Sequence, residues 1–346
     1  MFSESETNLK GLRAIENKLG LSNTFAMGFG RFKLFIRNGT LLDSVRLDAS
    51  SMCQLRCPLC LTGNRLNRKG PVGWGYLEFG NFRKFLGDNT WVKRVELSNW
   101  GEIFLNPELE DIIKYAHRKR VLLSAENGVN LNTVDEHLLE CLVRYRFRSL
   151  SVSIDGASSE TYGLYRKGGD FNRVIGNVKM INSYKKLYRT AFPKLSWQFV
   201  VMGHNEHELP AAKRMAMDLG MRFTPKMNWE PAFSPLKDVD FVRRESGLEI
   251  SSGGYSKSPY YCNQLWDSPQ INWDGKLLGC CCNFWEDFGN VFESGLKHCL
   301  KGDKYVYAKK MLLGKRKSRG DMPCTRCSGF ESFLNEKAVV KSLFYR

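Results

Sequence analysis

Residues 44–60, SVRLDASSMCQLRCPLC, open as a strand and close on three cysteines. SVRLDAS is short, carries apolar β formers and ends in turn-forming residues, which is the signature of a strand. Cys53, Cys57 and Cys60 then follow with C-x3-C-x2-C spacing, and no further cysteine appears before Cys141. Structural zinc sites close with four ligands, whereas catalytic metal sites keep one position open. A [4Fe–4S] cluster has four irons and takes thiolate ligands. Three thiolates in one loop therefore leave one iron free for a small molecule.

Working outward from this loop, strand and helix signals alternate. Strands are expected at SVRLDAS, VKRVELSN, VLLSAEN, SLSVSIDG, LSWQFVVM and MRFTPKMN. Between them lie PELEDIIKYAHRK, VDEHLLECLVRYR, FNRVIGNVKMINSYKKL and HELPAAKRMAMDLG, each with apolar residues at helical spacing. Pro107 suits a first helical turn, and Gly220 suits a helix C-terminus. Repeated β–α units predict an α/β fold with a parallel sheet, an open or partly closed barrel with helices outside. Such barrels carry their chemistry at the C-terminal ends of the strands, where Cys53 falls. The expected organisation is an N-terminal helix and basic aromatic segment over 1–43, a barrel over 44–230 and a Pro/Ser/Gly linker over 231–258. A small cysteine-bearing module over 259–330 and a basic tail over 331–346 complete it.

The chain has 346 residues, eleven cysteines and a formal charge of +16. No apolar run is long enough to span a membrane, and the N-terminus lacks the apolar core of a signal peptide. A cytoplasmic, reducing setting follows, in which clustered cysteines bind metal or do redox chemistry rather than form a disulfide framework. The positive charge favours an anionic partner. Runs such as Lys309, Lys310, Lys315, Arg316, Lys317 and Arg319 also serve solvation alone, and no nucleic-acid-binding motif is present.

CQLRCPLC after the first strand resembles the signature of the radical S-adenosylmethionine (SAM) superfamily. The resemblance implies a partial (β/α)6 TIM-like barrel. It also implies a cluster held by Cys53, Cys57 and Cys60, whose open iron takes the amino and carboxylate groups of SAM. Reductive cleavage of SAM would then yield a 5′-deoxyadenosyl radical that abstracts a substrate hydrogen. Leu59 stands where the family often has an aromatic residue. WGEIFLNPELEDII, 100–113, is similar to the family's Gly-Gly-Glu segment, with Trp100 in place of the first glycine. Gly101 and Glu102 would hold the SAM amino group. SVSIDGASSETYGLYRKGGDFNRVIGNVK, 151–179, resembles the fourth-strand region of members with auxiliary clusters. It implies that Ser153 and Arg166 contact the SAM ribose and carboxylate; a surface salt bridge is the plainer reading of Arg166. VVMGHNEHELPAAKRMAMDLGM, 200–221, resembles the segment flanking the adenine. Val201 would pack on the ring, and Asn205 or His207 would touch the ribose or cap the next helix. ENGVNL, 126–131, resembles the third-strand Thr-Asn-Gly, with Glu126 in place of Thr. Glu126 becomes a candidate substrate-binding or acid/base residue, or an exposed loop carboxylate.

Downstream, Cys262 and Cys280 bracket Gly275 as C-x12-G-x4-C, and Cys324 and Cys327 close the series. The pattern resembles the twitch module, related to the longer SPASM module. It implies a second, fully ligated [4Fe–4S] cluster on Cys262, Cys280, Cys324 and Cys327, able to accept or relay an electron. A zinc knuckle on the same four thiolates stays open. Cys281 and Cys282 are spare, and are candidate catalytic hydrogen donors to a substrate radical. Cys141 falls in an amphipathic helix and reads as core.

These features imply an enzyme that oxidises or epimerises a polar, anionic small molecule of sugar or aminocyclitol type, fed electrons by a flavodoxin- or ferredoxin-type donor. A ribosomal-peptide maturase is the alternative. The roughly 42 residues before the first strand are short for the winged-helix peptide-binding module of many such maturases. An iron–sulfur nucleic-acid-binding protein is the alternative from another class.

Overall fold

A computed structural model describes residues 43–250, 262–327 and 330. The expected helix and aromatic segment before residue 43, the whole basic tail over 331–346, residues 328 and 329, and the stretch 251–261 lie outside the described residues. Six strands appear where the sequence places them: β1 (Ser44–Leu47), β2 (Arg94–Glu96), β3 (Leu122–Val129), β4 (Ser149–Ser153), β5 (Lys194–Val201) and β6 (Arg222–Met227). A seventh, β7 (Gln270–Ile271), comes from the C-terminal segment. All pairs are parallel, in the order β6-β5-β4-β3-β2-β1-β7. The sheet curls, because Arg46 of β1 lies within electrostatic reach of Lys226 on β6 although four strands separate them.

Helices α1 (Phe79–Asp88), α2 (Leu109–Arg118), α3 (Glu136–Arg144), α4 (Ser159–Tyr165), α5 (Phe171–Leu187) and α6 (Leu209–Asp218) fill the connections. Local chemistry sets their ends. Asp135, Ser158 and Asp170 accept from the backbone N–H groups of Leu138, Thr161 and Arg173, each cap contributing roughly 1 kcal/mol. Gly220 follows α6 at φ 62°, the left-handed geometry that ends a helix. The buried face of α2 is Leu109, Ile112, Ile113 and Ala116, and each large side chain there contributes roughly 1.5–3 kcal/mol on burial.

Strand alternation gives the barrel two unlike faces. Val45, Leu47, Val95, Leu123, Leu150, Val152, Trp197 and Phe199 are buried on the helix side. The opposite face carries Arg46, Glu96, Ser124, Ser149, Ser151, Gln198, Thr224 and Lys226. The lumen is therefore polar and charged, a cavity lining rather than a packed interior.

The stretch expected as a linker is not wholly irregular. It contains α7 (Val239–Ser246), capped by Asp238 on Phe241 N–H at 2.8 Å and stopped by Gly247 at φ 70°. Its Pro- and Gly-rich flanks masked this short helix. The C-terminal segment adds α8 (Gln264–Asp267), α9 (Val291–Ser294), α10 (Leu296–Lys301) and α11 (Asp303–Leu312). It is tied to the barrel by β7 and by Asn272 and Trp273, which donate to the Val72 carbonyl at 3.0 and 2.8 Å. Among the described residues no helix is long and apolar enough to cross a membrane.

Candidate active site

The loop after β1 folds back on itself. Cys60 N–H donates to the Cys57 carbonyl at 3.1 Å, and Arg65 donates to the Cys53 carbonyl at 2.5 Å. Gly63 permits this turn, since a Cβ there would sit 2.9 Å from both Cys57 N and O. Leu55, Cys57, Tyr165, Val200 and Met202 form a buried cluster against which Cys53, Leu59 and Cys60 pack. Burial pushes the Cys53 thiol up to about 12, with Glu102, Cys57 and Cys60 adding repulsion. Burial also raises Cys57, against the pull of Arg166. Three sulfurs thus share one poorly solvated pocket, and three thiolates persist there only with cationic compensation. Two donors already point at them. Arg166 Nη1 lies 3.8 Å from Cys57 Sγ, and Asn130 Nδ2 lies 3.8 Å from Cys53 Sγ.

Gly101 and Glu102 lie against this loop. A Cβ on Gly101 would meet the carbonyls of Ser50 and Met52 at 2.5 and 2.6 Å, so the approach requires glycine. Glu102 N–H donates to the Met52 carbonyl at 2.7 Å. Its buried carboxylate accepts from Asn130 N–H at 2.6 Å and Phe104 N–H at 3.3 Å. Burial lifts it to about 7, and those two bonds and Arg166 hold it from rising further. Trp100 is a wedge toward the C-terminal module, packing edge-on against Phe284 with ring centroids 5.8 Å apart.

Arg166 corrects the plainer reading of it. Its ion pair is interior: Nε donates at 2.6 Å to Asp155 Oδ2, and Asp155 is fully buried. Asp155 Oδ1 accepts from Val200 N–H at 2.7 Å, so one carboxylate locks Arg166 to the ends of β4 and β5. Ser153 is buried on the lumen face, where its hydroxyl accepts from Gln198 Nε2 at 3.4 Å.

Two expected contacts move. Val201 is fully buried and shares its strand face with Trp197 and Phe199 on the helix side, whereas Val200 and Met202 pack on the cysteine loop. A strand exchanges faces at every residue, so Val201 lies on the face opposite Val200. Asn205 is fully committed. It accepts from Met202 N–H at 2.8 Å and donates to the Val200 and Asp155 carbonyls at 2.9 and 3.1 Å, pinning the β5–α6 turn rather than capping a helix or facing a ribose. His207 is exposed. Glu126 lies within β3 rather than beyond its end, is exposed, and accepts from Ser149 Oγ at 2.6 Å. The polar work near the loop falls to Asn130 of the same motif. Its Oδ1 accepts from Gln54 at 2.7 Å and from Asn132 N–H at 2.9 Å. Asp155 and Asn130 were not singled out in the sequence, although the quoted motifs contain both.

The second cysteine group converges independently. Cys262, Cys280, Cys324 and Cys327 line one narrow cavity of about 20 Å³, whose other walls include Leu265, Leu278, Trp285, Phe288 and Leu312. Burial pushes Cys262 up to about 11 and Cys324 to about 12, and raises Cys280 as well; each is repelled by other members of the set. Among the described residues no three His, Cys, Asp or Glu stand close enough to share one metal ion. Zinc would draw four sulfurs to about 2.3 Å from one centre. Cysteine thiolates are the usual ligands of an iron–sulfur cluster, and both donor sets are of that chemistry.

The spare cysteines diverge. Cys281 Sγ lies 3.1 Å from Gln264 Nε2 and 3.8 Å from Cys282 Sγ, and its carbonyl accepts from Asn99 at 3.0 Å. Its thiol is pulled below the usual range by the Cys282 hydrogen bond, with help from Gln264 and Arg46. Cys282 is exposed, while Cys141 and Cys299 are buried in helices.

A curled parallel sheet with a three-cysteine loop after its first strand and a four-cysteine cavity in the C-terminal segment is the arrangement to compare with known proteins. The pattern of the SPASM iron–sulfur cluster-binding domain matches residues 262–328. A probable GTP 3′,8-cyclase of Methanocaldococcus jannaschii is 26% identical over 193 residues, 53% of this chain, and the matched stretch spans only 57% of that cyclase. SAM-bound SuiB of Streptococcus suis aligns at 15% identity and TM-score 0.60, covering 95% of this chain and 82% of SuiB. SAM-bound anSMEcpe aligns at 15% identity and TM-score 0.55, covering 83% of each chain. Residues 262–328 thus carry a SPASM-type iron–sulfur domain, and the parallel sheet before them has the fold of the radical SAM partial barrel.

Proposed function

We propose that this enzyme abstracts hydrogen from a polar small molecule held in the barrel lumen and completes its oxidation or epimerisation at the wall shared with the SPASM domain. The observation that carries this reading is the polar face presented by strand after strand, running from the three-cysteine loop to Cys281. Cys53, Cys57 and Cys60 would hold a [4Fe–4S] cluster with an open iron, and Cys262, Cys280, Cys324 and Cys327 a second, closed one. With SAM bound, the first supplies a 5′-deoxyadenosyl radical and the second an acceptor for one electron. Glu102, ionised above pH about 7, accepts hydrogen bonds from the SAM ammonium. Arg166, held by Asp155, presents its remaining N–H groups to the carboxylate. Val200 and Met202 exclude water from the loop. Cys281 is the better placed of the two spare thiols to give a hydrogen to a substrate radical, because it lies within electrostatic reach of the lumen residues Arg46 and Asp48. A flavodoxin- or ferredoxin-type protein would supply the reducing electron.

The test is anaerobic reconstitution with iron and sulfide, followed by SAM and a reductant. The expected result is a visible-region chromophore and 5′-deoxyadenosine. Loss of two hydrogens from the substrate marks oxidation, and uptake of one solvent deuterium marks epimerisation. A protein that takes up zinc and develops no chromophore, or that leaves SAM intact, defeats the proposal. Turnover of a ribosomal precursor peptide, with none of a polar metabolite pool, would assign the chain to peptide maturation instead.

A further inference from the structure

Unpaired buried polar groups concentrate where β1 meets β7. Asp48 is 0% exposed, and neither of its carboxyl oxygens has a hydrogen bond of ordinary geometry, although the backbone N–H of Trp100 reaches the carboxylate more loosely. Arg46, two residues earlier on the same strand face, has a buried and equally unpaired Nη1. Gln270 is the register partner of Arg46 across β7. Its Nε2 donates to the Ile271 carbonyl at 3.1 Å, which leaves Oε1 buried and without a partner. These four atoms are half of the eight unpaired buried side-chain polar atoms among the described residues. Buried polar groups are almost always satisfied, and leaving one unmet costs stability. Such a concentration on one patch therefore calls for a ligand.

The rest of the lumen does not share this pattern. Glu96 pairs with Arg46 in register on the other side. Its carboxylate accepts from Ser98 Oγ at 2.6 Å, Ser124 Oγ at 2.5 Å and Glu126 N–H at 2.8 Å. Asp48 and Arg46 form no ion pair with each other, although each is within the other's electrostatic reach. Cys281 from the SPASM domain faces both, so the patch lies at the wall where the two parts of the molecule meet.

The donor–acceptor inventory selects the ligand. Asp48 offers two acceptor oxygens and Gln270 a third, against the two N–H groups of Arg46 Nη1. A phosphate or carboxylate brings acceptors only, and would leave Asp48 and Gln270 unmet. Two adjacent hydroxyls, or a hydroxyl beside an amine, bring donors for Asp48 and Gln270 and an oxygen for Arg46. Burial raises the Asp48 carboxyl well above the usual range, against the pull of Arg46. A protonated acid still accepts at one oxygen and donates at the other, which a hydroxyl also satisfies. We propose that Arg46, Asp48 and Gln270 form a subsite that docks the vicinal-diol or amino-alcohol edge of the substrate. This inference rests on the small-molecule reading above. It refines that reading by placing hydroxyl or amino groups, rather than an anionic group, against β1 and β7.

The experiment is saturation-transfer NMR on the cluster-loaded, SAM-bound protein without reductant. The probes are glucose, glucosamine and myo-inositol, each free and monophosphorylated, with the 2-deoxy analogues of the two sugars. Wild type is expected to bind at least one probe and to lose about ten-fold in affinity when a hydroxyl or amine of the docked pair is removed. Asp48→Asn should lose a similar factor toward the parent probe and discriminate poorly against the deoxy analogue. Gln270→Leu should lose a smaller factor, and supplies the test should Asp48→Asn not fold. Both variants should keep wild-type iron content and melt no lower than wild type, because each removes or weakens an unmet buried acceptor. Equal probe affinity in wild type and variants overturns the subsite and leaves the small-molecule reading standing. Loss of iron together with a lower melting temperature in both variants shows a structural role and also overturns it. If wild type binds no probe, the small-molecule reading falls and the subsite falls with it.

Discussion

The two cysteine groups make the instructive comparison. The triad after β1 sits among polar neighbours: Arg166 and Asn130 reach its sulfurs, and Glu102 stands behind them. The four cysteines of the SPASM domain line a cavity walled chiefly by Leu, Trp and Phe. Both sets are at least half-buried, yet only the first has an arginine and a buried carboxylate beside it. The lesson is that ligand count and surroundings agree. Three cysteines lie beside charged and amide side chains, as the proposed docking of a zwitterion requires, and four lie against an apolar wall, as a proposed electron-storing cluster requires.

The comparison breaks first on the cysteines themselves. Cys57→Ala should abolish reductive cleavage of SAM. Cys324→Ala should retain cleavage, lose product and lose about four of eight irons. Iron analysis and 5′-deoxyadenosine quantification check both, and full product from the Cys324 variant removes the relay role.

Next comes the interior ion pair. Arg166→Leu leaves Asp155 buried and uncompensated, and should cost roughly 3–5 kcal/mol in denaturant unfolding of the metal-free protein. No equivalent substitution exists on the apolar wall of the second cavity. A loss under 1 kcal/mol would show that Asp155 is satisfied without Arg166.

Glu102 sharpens the contrast through pH. Its folded value of about 7 lies above the ordinary 4.5, so the folded protein binds the proton more tightly than the unfolded chain. The contribution is fully present below pH about 4.5 and is lost as pH rises to about 7, a change of about 3 kcal/mol at most. Metal-free wild type should therefore lose stability over that window relative to Glu102→Gln. SAM binding should move the other way, weakening as pH falls through 7. Parallel urea titrations of the two proteins decide the first point, and calorimetry of SAM binding the second.

Gly101→Ala is a steric test of the same side. A methyl group 2.5 Å from the Ser50 carbonyl must displace the loop, at a cost of about 1–3 kcal/mol. Iron in the first site should fall while the second site keeps its own. The smallest effect is expected at Met217, which is 72% exposed. Met217→Ser should change stability by less than about 0.5 kcal/mol and leave both cysteine groups intact.

Much of this was legible in the chain. Six strands and four of the helices follow from local periodicity, and α5 coincides with FNRVIGNVKMINSYKKL. The cysteine spacings mark both candidate sites, because thiolate clusters need their ligands close in sequence or paired. What local reading could not give shares one cause. Val201 falls on the helix-side face because a strand exchanges faces at every step, and an apolar run hides the register. Asn205 reads as a cap from its type and position, and only the packed turn shows three protein groups using its amide. Arg46 and Asp48 lie opposite Val45 and Leu47 in plain alternation. That pattern could have exposed a polar lumen, but not that these two residues lack partners of ordinary geometry.

The sequence alone determined the rhythm of the sheet and the three-cysteine spacing, because each depends on short-range spacing and residue type, and it suggested the four-cysteine set only through a family resemblance. The tertiary structure decided which faces meet. It curled β1 toward β6, added β7 to the sheet edge, buried the Arg166–Asp155 pair and gathered Asp48, Gln270 and Cys281 from distant stretches. Those outcomes depend on long-range packing and on where desolvation leaves a polar atom unmet, and neither quantity is a property of any local stretch of chain.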